Sequence, residues 1–395
     1  MSSYISSNAN RFYTALESAY GTVGSITAAN RIPAVKLGVQ QTVATGTRRD
    51  KTGSRTFAGV PAGVRRRTDF TLQTYLTSWD KTTAGPGYGP LFQAAMGGSP
   101  ARFGGGTVAT STAAGRIGFG APHGLTAGQA VCSGGGEIRF VAAIVDAQTV
   151  QLNAPFMVLP ATGARVTATV TYTLATGLPS VSIFDYWSPA TAVQRVLCGA
   201  GVDQMDIVVD GDYHEFHFKG LAKDVLDSAS FESGAAQLSS FPAEPVVGAF
   251  DYSIVPGNMG QAWLGTGPSQ FCTITAATLT VKNALDTRDR EFGVGGACSG
   301  ARAISPGERT VTAAFDLFTR DDDATKELYQ AARQQSPISV MFQLGQTDGQ
   351  LMGVYLKSVV PEVPEFDDGQ NRLQWRFRAS RAQGTVDDEI SVAFG

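Results

Sequence analysis

The chain has 395 residues, enough for two or three domains at about 150 residues each. Only 16% of them are charged, against roughly 25% in an ordinary soluble domain, and glycine stands at 46 where about 7% of positions is usual. A net charge of −3 excludes a strongly basic nucleic-acid binder that works through bulk phosphate attraction, and a chain this poor in charge and rich in Val, Phe and Tyr is not broadly disordered. Such a surface fits a protein buried against other subunits, and it fits a Gly-rich all-β monomer equally well.

The first 30 residues read as a polar arm, without the apolar core of a signal peptide. No apolar run reaches 18 residues, so no membrane-spanning helix is expected. Val35, Leu37 and Val39 alternate as in a half-buried strand. A Gly/Arg-rich loop follows from Ala44 to Arg67, and a second strand returns from Asp69 as DFTLQTYL. Next comes a short helix, LFQAAMGGSP, from Leu91.

The same layout recurs. ITAATLTVKNALDTRDREFGVG from Ile274 matches IPAVKLGVQQTVATGTRRDKTG from Ile32, and LYQAARQQSP from Leu328 matches LFQAAMGGSP. The offset is 242 at the strand, carried without a gap through the loop to Arg67/Arg309, and 237 at the helix. MDIVVDGDYHEFHFKGLA from Met205 parallels VPEFDDGQNRLQWRFRAS from Val363. Three matches in one order indicate a tandem duplication. The second helix, DDDATKELYQAAR, has acids at its start and Arg333 near its end, as the helix dipole favours.

Between the first helix and the later strands lie about 65 extra residues, Thr107 to Tyr172, with short strands between Gly-rich turns. They read as a small β module inserted at a hairpin tip. The chain thus divides into an arm (1–30), a first unit in two pieces (31–106 and 173–240), the inserted module (107–172) and a second unit (241–395). Period-2 strands around one short helix per unit predict a mainly β fold of sandwich or barrel type. Being absent from the second unit, the insert is expected to be dispensable and to lie outside.

Chemistry-bearing motifs are scarce. His214 and His217 in DGDYHEFHF sit three positions apart on a strand and point to opposite faces, which argues against a metal site. Asp321, Asp322 and Asp323 lack the glycine and closing glutamate of a calcium loop and suit a helix start better. Cys132, Cys198, Cys272 and Cys298 form no CxxC pair and suit a reducing compartment. No nucleophile elbow, metal-ligand set or phosphate loop is found, so no enzyme activity and no cofactor are expected. The first loop stands out, with Arg48, Arg49, Lys51, Arg55, Arg65, Arg66 and Arg67 against Asp50 alone. The matching loop, with Arg288, Arg290, Arg302 and Arg309, balances them with four acids. Length is kept while charge is not, which favours subunit docking over phosphate contact.

The duplicated strand–long loop–strand–helix unit, its two helices and the opening phrase ESAYGTVG resemble the tail tube proteins of long non-contractile-tailed phages. The resemblance covers most of the chain and is one of layout. It implies two tandem tube domains, rings of six such domains made by three chains, and head-to-tail stacking. DNA would pass through the lumen without specific binding. The long loops, with Arg48, Arg49, Arg55, Arg65, Arg66, Arg67, Arg288, Arg290, Arg302 and Arg309, would then contact the next ring, against acids such as Asp321 to Asp323 or Asp387 to Glu389. The lumen wall is expected on the strands from Val35 and Val281 and their partners, net negative, with Lys36 beside an acid at a ring edge. Tail terminator, tape measure and distal tail proteins would be partners, and the site the virion tail after synthesis in the host cytoplasm. APHGLTAGQAVCSGGGEIRF in the insert resembles small β modules that decorate phage structural proteins, with Cys132 where Ile or Val is commoner. A surface-binding protein with a carbohydrate-binding module is the alternative, and a β-rich hydrolase a third.

Overall fold

The computed structural model describes residues 4–45, 51, 53–55, 64–209, 211–246, 252–287, 303–369 and 371–395, without the side chains of 44, 45, 64, 65 and 379. Strands dominate. The first unit holds β1 (Asn10–Leu16), β2 (Arg31–Ile32), β3 (Ala34–Thr45), β4 (Val64–Tyr75), α1 (Gly89–Met96) and β5 (Ala101–Phe103). The insert supplies β6 (Gly106–Ser111), β7 (Arg116–Phe119), β8 (Ala130–Ser133), β9 (Glu137–Ile144), β10 (Thr149–Leu152) and β11 (Arg165–Thr167). The first unit resumes with β12 (Thr169–Thr173), β13 (Val181–Trp187), β14 (Arg195–Val209), β15 (Glu215–Ala222) and β16 (Asp224–Asp227). The second unit runs through β17 (Gly260–Gly265), β18 (Ser269–Gln270), β19 (Ile274–Lys282), β20 (Asp286–Thr287), β21 (Ile304–Ser305), β22 (Thr310–Phe318), α2 (Asp323–Gln334), β23 (Ile338–Leu344), β24 (Met352–Val360), β25 (Glu365–Asp367), β26 (Gln374–Ala382) and β27 (Ser391–Phe394).

Eight strands form one long antiparallel sheet in the order β3–β4–β15–β14–β19–β22–β26–β25. The first four belong to the first unit and the last four to the second. They meet where Gln204–Val209 of β14 pairs with Ala277–Lys282 of β19. Alternation decides the faces: along β22, Val311, Ala313, Phe315 and Leu317 are buried while the residues between them are half-exposed. A core row crosses from unit to unit, Leu37–Leu72–Phe218–Met205–Val281–Val311.

The register corrects the sequence alignment of the units. Core-facing Leu37 pairs with Leu72, and its counterpart Leu279 pairs with Ala313. The hairpin of the first unit is therefore one residue longer, and Arg67 and Arg309 are not equivalent. A gapless match would turn one return strand inside out, because a one-residue slip exchanges the faces of a strand.

A cover sheet packs across the long one in the order β5–β12–β27–β24–β23–β17–β18. The C-terminal strand β27 lies between β12 of the first unit and β24 of the second. Phe394 there meets the Phe92 ring of α1 at 5.2 Å, edge to face, and is buried beside Tyr88 and Phe216. One apolar cluster therefore runs through both units, with α1 and α2 packed into it. The α2 start is capped by Asp322, whose carboxylate accepts from the Thr325 amide at 2.8 Å. A smaller sheet, β2–β1–β13–β14, branches off the N-terminal half of β14 beyond the register shift at Val202/Gln204. Glu17 pins it, accepting from the amides of Gly21 and Gly199 and the hydroxyls of Ser180 and Ser182.

The insert folds as a closed six-stranded barrel, β10–β7–β6–β11–β8–β9, around its own core of Val108, Ile117, Val131, Val150 and Val166. It is not a free-standing appendage. Ile138, Phe140 and Cys132 pack on Trp263, Met341, Leu351 and Ala393 of the second unit. Arg139 is fully buried in this seam. Its guanidinium donates to Glu137 at 2.6 Å, to Gln261 at 2.8 Å, to Gln343 at 3.0 Å and to the Pro155 carbonyl at 2.9 Å. Met341 lies on the face of β23 opposite core residues Val340 and Phe342, so the barrel covers the side of the molecule away from the long sheet. Cutting it out would carry a cost, because removal would expose Trp263, Met341 and Leu351 and leave the Gln343 side chain only its bond to the Gly345 carbonyl.

Phe394→Ala should destabilise the whole molecule by about 3–5 kcal/mol, since it opens a cavity in a core common to both units. Urea unfolding should remain one cooperative transition. Loss confined to one of two separate transitions would show that the units are independent.

Candidate assembly surface

The long sheet turns one face away from the core. On it the register places Lys36, Arg67, Lys219, Lys282, Arg376, Arg378 and Arg381 among threonines and glutamines, with Asp69, Asp206, Glu215, Asp316, Glu365 and Asp367 as the acids. Among the described side chains the two signs are close to balance, seven bases to six acids. The expected net-negative wall is not what these strands carry. The acids of the chain go elsewhere: Asp80, Asp227, Asp322 and Asp388 each accept from a nearby backbone amide in a turn or helix start. Much of the charge on the open face is matched in place. Arg67 lies 3.1 Å from Asp69, Arg376 and Arg378 each 3.9 Å from Asp316, and Arg381 3.0 Å from Glu308.

Of the arginines expected to reach another ring, Arg48, Arg49, Arg288, Arg290 and Arg302 lie outside the described residues, as does the Arg65 side chain. Arg55 is exposed. Arg66 and Arg67 are exposed near the far end of the β3–β4 hairpin, and Arg66 lies 3.5 Å from Asp224. Arg309 is different. It donates to the Ala175 carbonyl at 3.0 Å, pairs with Asp387 and lies 3.8 Å from Glu389. It ties the base of the second loop to the C-terminal segment and the first unit, and occupies two of the acids expected to face a neighbour. Asp388 is paired with Lys357 at 3.1 Å.

The histidines separate as the strand geometry required. His214 is buried, with Nε2 3.4 Å from the Met259 carbonyl, while His217 lies on the open face 2.8 Å from Glu215. Among the described residues no three metal-ligating side chains cluster. Burial pushes the Cys132 and Cys198 thiols up to about 12, which leaves them protonated and unreactive at neutral pH.

The two ends of the long sheet escaped the sequence reading. Among the described residues β3 pairs only with β4, and β25 only with β26. Val35 on the first edge is 46% exposed and Phe366 on the second 54%. Phe366 forms a half-open aromatic cluster with Trp375 at 5.4 Å and Tyr329 at 5.9 Å. Apolar and aromatic side chains left open beside an unpaired strand edge are the chemistry of a protein–protein contact. The one sequence signal was VVPEVPEF, with two prolines beside an aromatic residue, a composition suited to an edge strand.

No family model matches this chain, and no curated protein matches its sequence.

Arg309→Ala should lower stability by about 1–2 kcal/mol, because it strands Asp387 and Glu389 in a partly buried site. Arg66→Ser with Arg67→Ser should change stability by less than about 0.5 kcal/mol, both side chains being exposed. Thermal melts of the two variants check this, and equal losses would contradict the different placements.

Proposed function

We propose that this protein is the structural subunit of a phage tail tube, three chains closing into a ring and the rings stacking into a conduit for DNA. The observation that carries the reading is the joint between β14 and β19. Each unit contributes four strands to one sheet, the units join edge to edge, and among the described residues the equivalent edges at both ends stay open. A unit that adds to itself once within the chain is built to add again. Three such sheets of eight strands would close a barrel wide enough for a channel, since barrel diameter grows with strand number.

The layering agrees with this reading. The open polar face would line the channel and the inserted barrel would stand on the outside. Arg55, Arg66 and Arg67 stay on the surface in the hairpin that would reach the next ring, and each exposed pair they form is worth only about 0–1 kcal/mol. Ring-to-ring contact would then spread over many residues. Terminator, tape measure and distal tail proteins would meet the ends and lumen of the tube, and the virion tail would be its location. The carbohydrate-binding alternative finds no support in the insert, whose rings Phe119, Phe140 and Phe156 are all buried.

Electron microscopy of the purified protein at rising concentration should show rings and tubes, and native mass measurement should give three chains per ring. A monomer under all conditions, or rings of six chains, would overturn the proposal.

A further inference from the structure

The joint inside the chain is a template for the joint between chains. Ile207 of β14 stands between Phe216 of β15 and Leu279 of β19. Two residues along the return strand from Leu37–Leu72, Thr74 pairs with Phe216; two along from Leu279–Ala313, Phe315 pairs with Phe377. Phe216 and Phe377 are therefore counterparts. One step on from the Glu365–Arg376 pair, Phe377 faces the buried Pro364, which makes Pro364 the counterpart of Ile207. Leu279 has Leu37 as its counterpart.

From this register we infer that β25 of one chain docks on β3 of a second copy with Pro364 opposite Leu37, Glu365 opposite Lys36 and Phe366 opposite Val35. This rests on the ring-forming function proposed above. The two edges fit in charge, an acid against a base. They fit in polarity too, since the most exposed apolar residue of β25 meets an exposed apolar residue of β3. Comparison of the two helices points the same way. Phe92 of α1 is fully buried, packed on Phe216 and Phe218 of its own unit and on Phe394 of the second, whereas its counterpart Tyr329 of α2 is only half-buried beside Phe366. The cover that the first unit receives from the second is what the second unit lacks.

The two kinds of joint are unequal. The inner one has six ladder pairs. The outer one includes Pro361 and Pro364, which have no N–H to give. Their positions differ by three, so they point to opposite sides, and one missing donor falls on the free edge. Side chains rather than a full ladder must hold this joint, and rings should open there first.

The test uses the full chain. Lys36→Glu and Glu365→Lys should each raise the concentration needed for ring formation by about tenfold or more, because like charges then face each other across the joint. The double variant should return close to wild type, and all three should melt like wild type because both residues are exposed. Separately, Val35→Cys with Phe366→Cys, in a background of Cys272→Ser and Cys298→Ser, should give covalent trimers from assembled rings on mild oxidation. Rings in the wild type without rescue by the double variant, or without cross-linking, would overturn this joint while leaving the tube subunit standing. Absence of any wild-type ring would overturn both.

Discussion

A strand at the edge of a sheet has a row of backbone donors and acceptors facing outward, and the rest of this structure depends on how that demand is met. Between the units it is met within the chain, by β14 against β19. In the cover sheet it is met by sending the C-terminal strand β27 between β12 and β24. The second exchange makes the units inseparable, because Phe394 from the end of the chain fills the aromatic core around α1. What remains is one sheet with two unlike ends. Among the described residues a 12-residue strand lies open at one of them, and a three-residue strand preceded by proline at the other. A long open edge invites indiscriminate pairing, whereas prolines on the complementary edge limit it to a docking that side chains approve.

The strands were legible wherever one face is buried and the other is not. Leu279 and Val281 on β19, and Val311 to Leu317 on β22, alternate in sequence because they alternate in burial. The α2 start was legible for the same kind of reason, since Asp322 needs only its near neighbour Thr325 to cap the helix. Features that join distant segments were not legible. Arg139 looks like a surface residue until Gln261 and Gln343, over 120 residues away, are brought to its guanidinium. The one-residue difference between the hairpins was hidden because Arg67 and Arg309 match by letter. One is exposed beside Asp69, and the other is turned into the subunit. Of the expected contact arginines, the described side chains are Arg55, Arg66, Arg67 and Arg309, and only the last is tied into the subunit. Apart from the prolines of VVPEVPEF, the open edges had no local pattern, because an edge is defined by what does not pair with it.

The seam under the barrel shows how a charge can be built into a contact that excludes water. Burial lowers the Arg139 pKa to about 10, with Glu137 working against that loss, so the side chain stays charged at neutral pH. A lone buried guanidinium would cost several kcal/mol. Here Glu137 neutralises it, two glutamines and two carbonyls take its donors, and Trp263 lies against it at 5.0 Å. Glu137 also accepts from the amides of Met157 and Val158. A seam with so many directional bonds fixes the barrel in one orientation on the cover sheet, whereas an apolar seam alone would tolerate sliding.

Low charge content acquires a physical meaning in this arrangement. The open face of the long sheet has to be wet without being strongly charged. Thr71, Thr278, Thr280, Thr310 and Thr312 meet both needs, since a β-branched side chain favours a strand and a hydroxyl favours water. Part of the charge on that face is matched by neighbouring acids, as with Asp316 near Arg376 and Arg378. If this face lines the proposed channel, it would meet a polyanion with nearly balanced charge and no dense acidic field. Mobility of cargo along it would then come from neutrality and hydration. That is a different solution from the repulsive lining that total composition suggested, because the acids that would have supplied repulsion are spent on turns and helix starts at the edges of the fold.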